Sequence, residues 1–135
     1  MSVPNPPPLH ILLVDDFAPF RLSLRRLFQA FPALAVVGEA RDGSAAIEMA
    51  LSLVPQVVIM DIKMPRLGGV EATRRIKRIL PETHVIGVSL NDDALTQQAM
   101  KAAGSSAFLS KCCVRDLPQL IATVTGRRVS EEGPS

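Results

Sequence analysis

Five short apolar runs, LHILLV, ALAVVGEA, QVVIM, HVIGVS and SAFLS, alternate along the chain with stretches whose apolar residues recur at three- and four-residue steps. Runs of strand length separated by helical patterns argue for successive βα units. Strands that are apolar almost throughout argue further for a parallel sheet covered on both faces. Right-handed crossovers leave few arrangements for five such strands. The leading one is an α/β fold, a doubly wound five-stranded parallel sheet of order 2-1-3-4-5 with five helices.

The helical stretches carry their own punctuation. In the first, Phe17, Phe20, Leu24, Leu27, Phe28 and Phe31 line one face, Arg21, Arg25 and Arg26 are expected to face out, and Pro32 stops the helix. Asp42-Gly43 forms a turn before Ala45, Ala46, Met49 and Ala50, and Pro55 marks the exit. Gly68-Gly69 precede a third helix with Val70, Ile76 and Leu80 apolar; its basic run of Arg74, Arg75, Lys77 and Arg78 reads as a solvated face. Asn91-Asp92 is expected to cap the fourth helix and Gly104 to end it. The fifth should begin near Asp116, because Pro118 is tolerated only in a helix's first turn. Residues 1–8, with VPNPPP, read as a flexible proline-rich tail, residues 9–125 as one domain, and residues 126–135, GRRVSEEGPS, as a linker-like tail.

Composition narrows the setting. With 135 residues and 47% hydrophobic content the chain can build one real core. A net charge of +2 with 21% charged residues is too mild to argue for nucleic-acid binding by this segment. Cys112 and Cys113 are neighbours, about 3.8 Å apart at Cα, closer than a relaxed disulfide prefers. A reducing compartment fits them. No charged-then-apolar leader opens the chain, and no apolar run approaches the roughly 20 residues that span a bilayer. The expectation is a cytoplasmic protein without a membrane anchor.

Chemistry concentrates where the apolar runs end. Asp15-Asp16 closes the first, Asp61 the third, Ser89 the fourth and Lys111 the fifth. Each alone has a plain explanation: a helix cap, a polar strand end, a local turn, a surface lysine. Four such accidents at four strand ends are a poorer account than one site at the edge where open α/β sheets bind ligands. The end of the second strand, Glu39-Ala40-Arg41, contributes nothing to the set, and GEARDG reads as turn chemistry. Clustered carboxylates suit Mg²⁺, or Mn²⁺, which takes one or two carboxylates together with waters and phosphate oxygens. Asp61, alone on the central strand, is the best-placed nucleophile, and the adjacent pair is better suited to hold metal, one of the two through water. Lys111 supplies a cation and Ser89 a hydroxyl donor for phosphoryl oxygens.

At these residues the sequence resembles the response-regulator receiver domains of two-component signalling, over about residues 9 to 125. The intervals between Asp16, Asp61, Ser89 and Lys111 suit that family, MDIKMPRLGGVEATRRIK resembles its acceptor loop and following helix, and VVGEARDGSAAIEMA resembles the NarL/FixJ, or LuxR-type, subgroup. The resemblance implies that Asp15 and Asp16 are the acidic pair, Asp61 the phospho-acceptor, Ser89 the switch hydroxyl, Lys111 the site lysine and Phe108 the switch aromatic. It also implies that the backbone carbonyl of Lys63 binds the metal, that a sensor histidine kinase is the phosphodonor, and that a C-terminal helix-turn-helix usually follows. Two positions depart from the common pattern. Cys112 follows Lys111 where many receivers have proline, so a cis bond there lacks the proline discount. Bulky Leu90 follows Ser89 where many have a small residue.

The reading is therefore a phosphorylation-dependent signalling switch, catalytic only on itself and not an enzyme toward other substrates. It is expected to control transcription through a DNA-binding domain outside this segment, with a phosphorylation-dependent homodimer allowed; a stand-alone receiver acting by protein contact is the alternative. A haloacid-dehalogenase-type phosphatase is disfavoured because its Asp-x-Asp is absent, Phe17 following Asp16. A flavodoxin is disfavoured because two acids after the first strand would repel an FMN phosphate.

Overall fold

The structure, a computed structural model, describes residues 6–90 and 93–131. Strands β1 (Leu9–Val14), β2 (Leu34–Ala40), β3 (Val57–Asp61), β4 (His84–Ser89) and β5 (Ala107–Ser110) alternate with helices α1 (Ala18–Gln29), α2 (Gly43–Leu53), α3 (Gly69–Ile79), α4 (Ala94–Ala103) and α5 (Leu117–Thr125). All pairings are parallel, in the order β2-β1-β3-β4-β5. The expected fold class is the one observed.

Alternation along the strands builds two apolar layers. Ile11 and Leu13 of β1, with Val57 and Ile59 of β3, pack with Leu24 and Phe28 of α1 and Leu117 and Ile121 of α5. Leu12 and Val14, with Val58 and Met60, pack on the other face with Ala46 and Ala50 of α2, Ala72 and Ile76 of α3 and Met100 of α4. Because the central strands are covered on both sides, they are apolar at nearly every position away from their ends, which is the pattern that marks a parallel sheet.

Three local expectations need correction. Phe17 does not join the α1 face: it is the residue before the helix, and it is 61% exposed. Arg21 does not face solvent; its side chain lies across the end of the sheet, 17% exposed and bonded to Glu39. The cap of α4 is Asp93, whose side chain accepts from the Thr96 N–H at 2.6 Å, whereas Asn91 and Asp92 lie outside the described residues. Between β5 and α5 a 3₁₀ segment spans Lys111–Asp116, and the Lys111–Cys112 peptide is trans. Pro118 does sit in the first turn of α5, and Gly104 does end α4 in left-handed conformation. Among the described parts of the two tails, Val129 packs on the α1/α5 layer and the Pro7 carbonyl accepts from Arg127 Nη2 at 2.6 Å. No helix among the described residues is long and apolar enough to cross a membrane.

Candidate functional site

The ends of β1 and β3 lie side by side, Val14 opposite Met60. Asp15 continues the series Ile11, Leu13, and Asp61 continues Val57, Ile59. Both carboxylates therefore leave the C-terminal edge of the sheet toward the α1/α5 side. The Asp15 N–H still reaches the Ala40 carbonyl at 3.0 Å, a last rung to β2. The chain then turns, because the Phe17 N–H donates to Asp15 Oδ1 at 2.8 Å, a turn closed by the aspartate's own side chain. In a straight strand Asp15 and Asp16 would face opposite ways; the turn brings exposed Asp16 round. Asp15, Asp16 and Asp61 each offer a carboxylate oxygen within 4.8 Å of the others.

Asp61 is buried, and its Oδ1 accepts from the Ile62 N–H at 2.9 Å. The loop beyond it folds back, the Gly69 N–H donating to the Ile62 carbonyl at 2.8 Å. A Cβ at residue 69 would lie 2.1 Å from the Asp61 carbonyl oxygen. Only glycine lets α3 begin this close to the end of β3.

Lys111, directly after β5, brings its Nζ to 2.7 Å from Asp15 Oδ2 and 3.3 Å from Asp61 Oδ1. The same ammonium lies 4.5 Å from the centroid of the Phe20 ring, within cation–π range. Asp15 Oδ2 is buried with no N–H or O–H well aimed at it, so proximity to Lys111 is what neutralises it. Burial and then the Asp15 charge push the Asp61 carboxyl up to about 6 against the pull of Lys111. For Lys111, burial acts downward, but the two carboxylates outweigh it and hold the ammonium above the ordinary lysine value. Negative charge thus exceeds positive charge in a largely buried pocket with oxygen donors, the chemistry that fits a hard divalent cation.

Ser89 ends β4, is 4% exposed, and stands opposite Ser110 in the register. Phe108 is opposite Gly87, and its ring packs on the α2–α4 layer. A Cβ at Gly87 would meet Met100 Cε at 2.9 Å and Phe108 Cδ2 at 3.1 Å, so the ring already fills the space over β4. Lys63 lies two residues beyond Asp61 with an exposed side chain. The Thr96 hydrogen bonds, with the charge of Lys63, hold Asp93 below the usual carboxylate range. The structure therefore brings Asp15, Asp16, Asp61 and Lys111 together, and sets Ser89 at the end of β4 and Phe108 on β5 with its ring on the α2–α4 face.

Two neighbours of the pocket escape a sequence reading. Phe20 looks like core and Arg21 like surface, yet the first underlies Lys111 and the second donates from Nη1 to the Asp15 carbonyl at 2.6 Å. Glu39, near the end of the second strand and expected to contribute nothing to the set, is a β2 residue that binds Arg21 and Arg25. The arginines closing on it outweigh its burial and hold its pKa below the usual range. Acid and base lie 18 residues apart in the chain, beyond any local pattern.

The chain is similar to known proteins. Protein-glutamate methylesterase/protein-glutamine glutaminase 4 of Myxococcus xanthus (strain DK1622) is 47% identical over 105 residues, 77% of this chain and 30% of that protein. The response regulator GacA of Pseudomonas viridiflava is 34% identical over 103 residues, 76% of this chain and 48% of that one. The chain thus spans less than half the length of either. The solved signal receiver domain of the response regulator NarL from Mycobacterium tuberculosis superposes with a TM-score of 0.83 at 27% identity, over 90% of this chain and 100% of that one. The family described as response regulator receiver domain matches residues 11–125. That match runs from within β1 to the end of α5 and takes in every strand end that carries a polar site residue, so the chain belongs to the response regulator receivers of two-component signalling.

Proposed function

We propose that this receiver takes a phosphoryl group on Asp61 from the phosphohistidine of a sensor histidine kinase, with Mg²⁺ or Mn²⁺ bound, and loses it by hydrolysis. The observation that carries the reading is the pocket itself, with Lys111 Nζ 2.7 Å from Asp15 and 3.3 Å from Asp61 at the sheet edge. Asp15, Asp16, Asp61 and the Lys63 carbonyl are the groups that would hold the ion, whose charge, once bound, offsets the repulsion between carboxylates and an incoming phosphate. Asp61 then acts as nucleophile: its carboxylate oxygen bonds to phosphorus as the P–N bond to histidine breaks, leaving an acyl phosphate. Lys111 is already in the pocket as a cation, and a short swing of its flexible stem pairs it with phosphoryl oxygens. Ser89 donates its hydroxyl to another of them. The added charge and acceptor oxygens are read out through Ser89 at the end of β4 and Phe108 within β5.

Asp61→Asn tests the acceptor, because an amide is a poor nucleophile. Incubation with a small phosphodonor should label the parent chain with acid-stable, base-labile phosphate and leave the folded variant unlabelled. Chelation should also stop labelling of the parent. Labelling of the variant at the parent level would move the acceptor elsewhere, and equal labelling in chelator would remove the metal from the scheme.

Two readings of the output follow from the relatives. Similarity to the transcriptional regulatory protein DegU of Brevibacillus brevis, 34% identical over 103 residues, supports control of transcription through an effector domain beyond this segment, and a phosphorylation-dependent homodimer fits it. The higher identity to the Myxococcus methylesterase, 47%, supports instead a receiver that governs an esterase domain. Reading the native gene past Ser135 separates them. Two exposed free cysteines, Cys112 and Cys113, favour a cytoplasmic setting for either.

A further inference from the structure

Asp15 is held at every polar group but one. Its N–H donates to the Ala40 carbonyl at 3.0 Å. Its Oδ1 takes the Phe17 N–H at 2.8 Å, and its carbonyl takes Arg21 Nη1 at 2.6 Å. Oδ2 alone is left toward the pocket, beside Lys111. The carbonyl is the informative member of this set, because it belongs to the peptide joining Asp15 to Asp16. Fixing that peptide plane fixes where the second carboxylate starts from.

The guanidinium that fixes it is itself tethered. Arg21 Nε donates to Glu39 Oε1 at 2.8 Å, and Arg25 Nε and Nη2 donate to Glu39 Oε2 at 2.9 and 2.6 Å. Glu39 sits on β2 opposite Leu13 of β1, so the tether runs from the edge strand to the strand that carries the acidic pair. Arg21 is 17% exposed against 37% for Arg25. A planar fork anchored at one nitrogen presents another in a set direction, which a lysine ammonium cannot do.

We infer that Arg21, oriented by Glu39, is a positioning residue for the acidic pocket: it sets the Asp15–Asp16 peptide so that both carboxylates face one ion. This rests on the metal reading given under Proposed function. It also gives β2, through Glu39, a part in the site.

Charge and geometry predict opposite outcomes for one substitution, which makes the inference sharp. If Arg21 acted only as a nearby cation, removing its charge would strengthen Mg²⁺ binding by deepening the negative potential. If it acts by position, Arg21→Gln weakens binding. Residues that support metal ligands from behind typically change affinity by roughly 10- to 100-fold, and a loss of about 10-fold is expected here. Arg21→Lys keeps the charge without the fork and should also lose affinity, by less.

The experiment titrates Mg²⁺ into parent, Arg21→Gln, Arg21→Lys and Arg25→Gln chains by calorimetry. Amide hydrogen exchange at the Phe17 N–H is followed in the metal-free proteins. Weaker binding together with faster Phe17 exchange in Arg21→Gln, and near-parent values in Arg25→Gln, support the inference. Unchanged or tighter binding in folded Arg21→Gln overturns it. Should that variant not fold, Glu39→Gln keeps Arg21 but frees it, and parent-like Phe17 exchange there overturns the inference equally. A parent chain that binds no Mg²⁺ sinks the metal reading itself, an outcome distinct from a parent that binds and a variant that binds as well.

Discussion

Asp61 carries its negative charge against its surroundings. Burial and the neighbouring Asp15 push its carboxyl from 3.8 up to about 6 in the metal-free fold, so at neutral pH the folded chain holds an ionised group that would bind a proton more readily than it does when unfolded. The folded value lies above the unfolded one. The associated stability is therefore complete below the unfolded value and is lost as pH rises through about 6. The loss is on the order of 2–3 kcal/mol, at about 1.4 kcal/mol per unit. Asn cannot ionise, so in chelator Asp61→Asn should melt above the parent at about pH 8, with the difference vanishing toward about pH 4. Saturating Mg²⁺ should erase the gap at high pH by stabilising the parent. Thermal melts of both chains across this range check the sign; an Asp61→Asn chain no more stable than the parent at high pH would contradict it.

At the scale of elements, the ends of helices were the most readable features, each for a local reason. Pro32, Gly104 and Pro118 act through φ restriction, a missing N–H or a missing Cβ, none of which depends on the rest of the fold. The exit of α2 is different, since Val54 adopts φ 46° and ψ 60° with its N–H on the Ala50 carbonyl at 2.8 Å. A β-branched residue in left-handed conformation is strained, typically by about 1–2 kcal/mol. Val54 is also 58% exposed, so little packing offsets that strain. Val54→Asn should stabilise the chain by about 0.5–1 kcal/mol, because Asn accepts this conformation more readily. A higher urea midpoint at unchanged slope would confirm it, and a lower midpoint would show that the valine's contacts outweigh its backbone. The 3₁₀ segment after β5 could not be read at all: the Ser110 hydroxyl accepts the Cys112 N–H at 3.2 Å while Lys111 is drawn into the pocket, and that pull exists only once the strands have assembled.

For the whole molecule, the proposed function assigns receipt of a phosphoryl group and its report to side chains on different strands and faces. Ser89 is on β4 and Phe108 on β5, and the Phe108 ring lies on the α2–α4 layer against Gly87, away from the face where Asp61 and Lys111 meet. Ser89→Ala should therefore still be labelled at Asp61, while phosphorylation changes its self-association or partner binding less than it does in the parent. Light scattering of both chains with and without a phosphodonor measures this. A variant that responds as fully as the parent would show that the hydroxyl is not the relay.

What the sequence by itself determined were the fold class, the strand order and the four strand ends that carry chemistry. These rest on short, nearly continuous apolar runs and period-3.6 apolar patterns, together with crossover rules that act on any chain of this kind. It placed Asp15, Asp16, Asp61, Ser89 and Lys111 near one edge because strand ends in a parallel sheet share an edge. Tertiary structure alone decided the distances within that edge and the company each group keeps. Lys111 bridges Asp15 and Asp61 over the Phe20 ring. Arg21 leaves the expected solvent face because its carboxylate partner arrives from β2, and the register of β1 on β2 brings Glu39 within its reach. A long charged side chain has no preferred destination in the sequence; the pairing of strands supplies one.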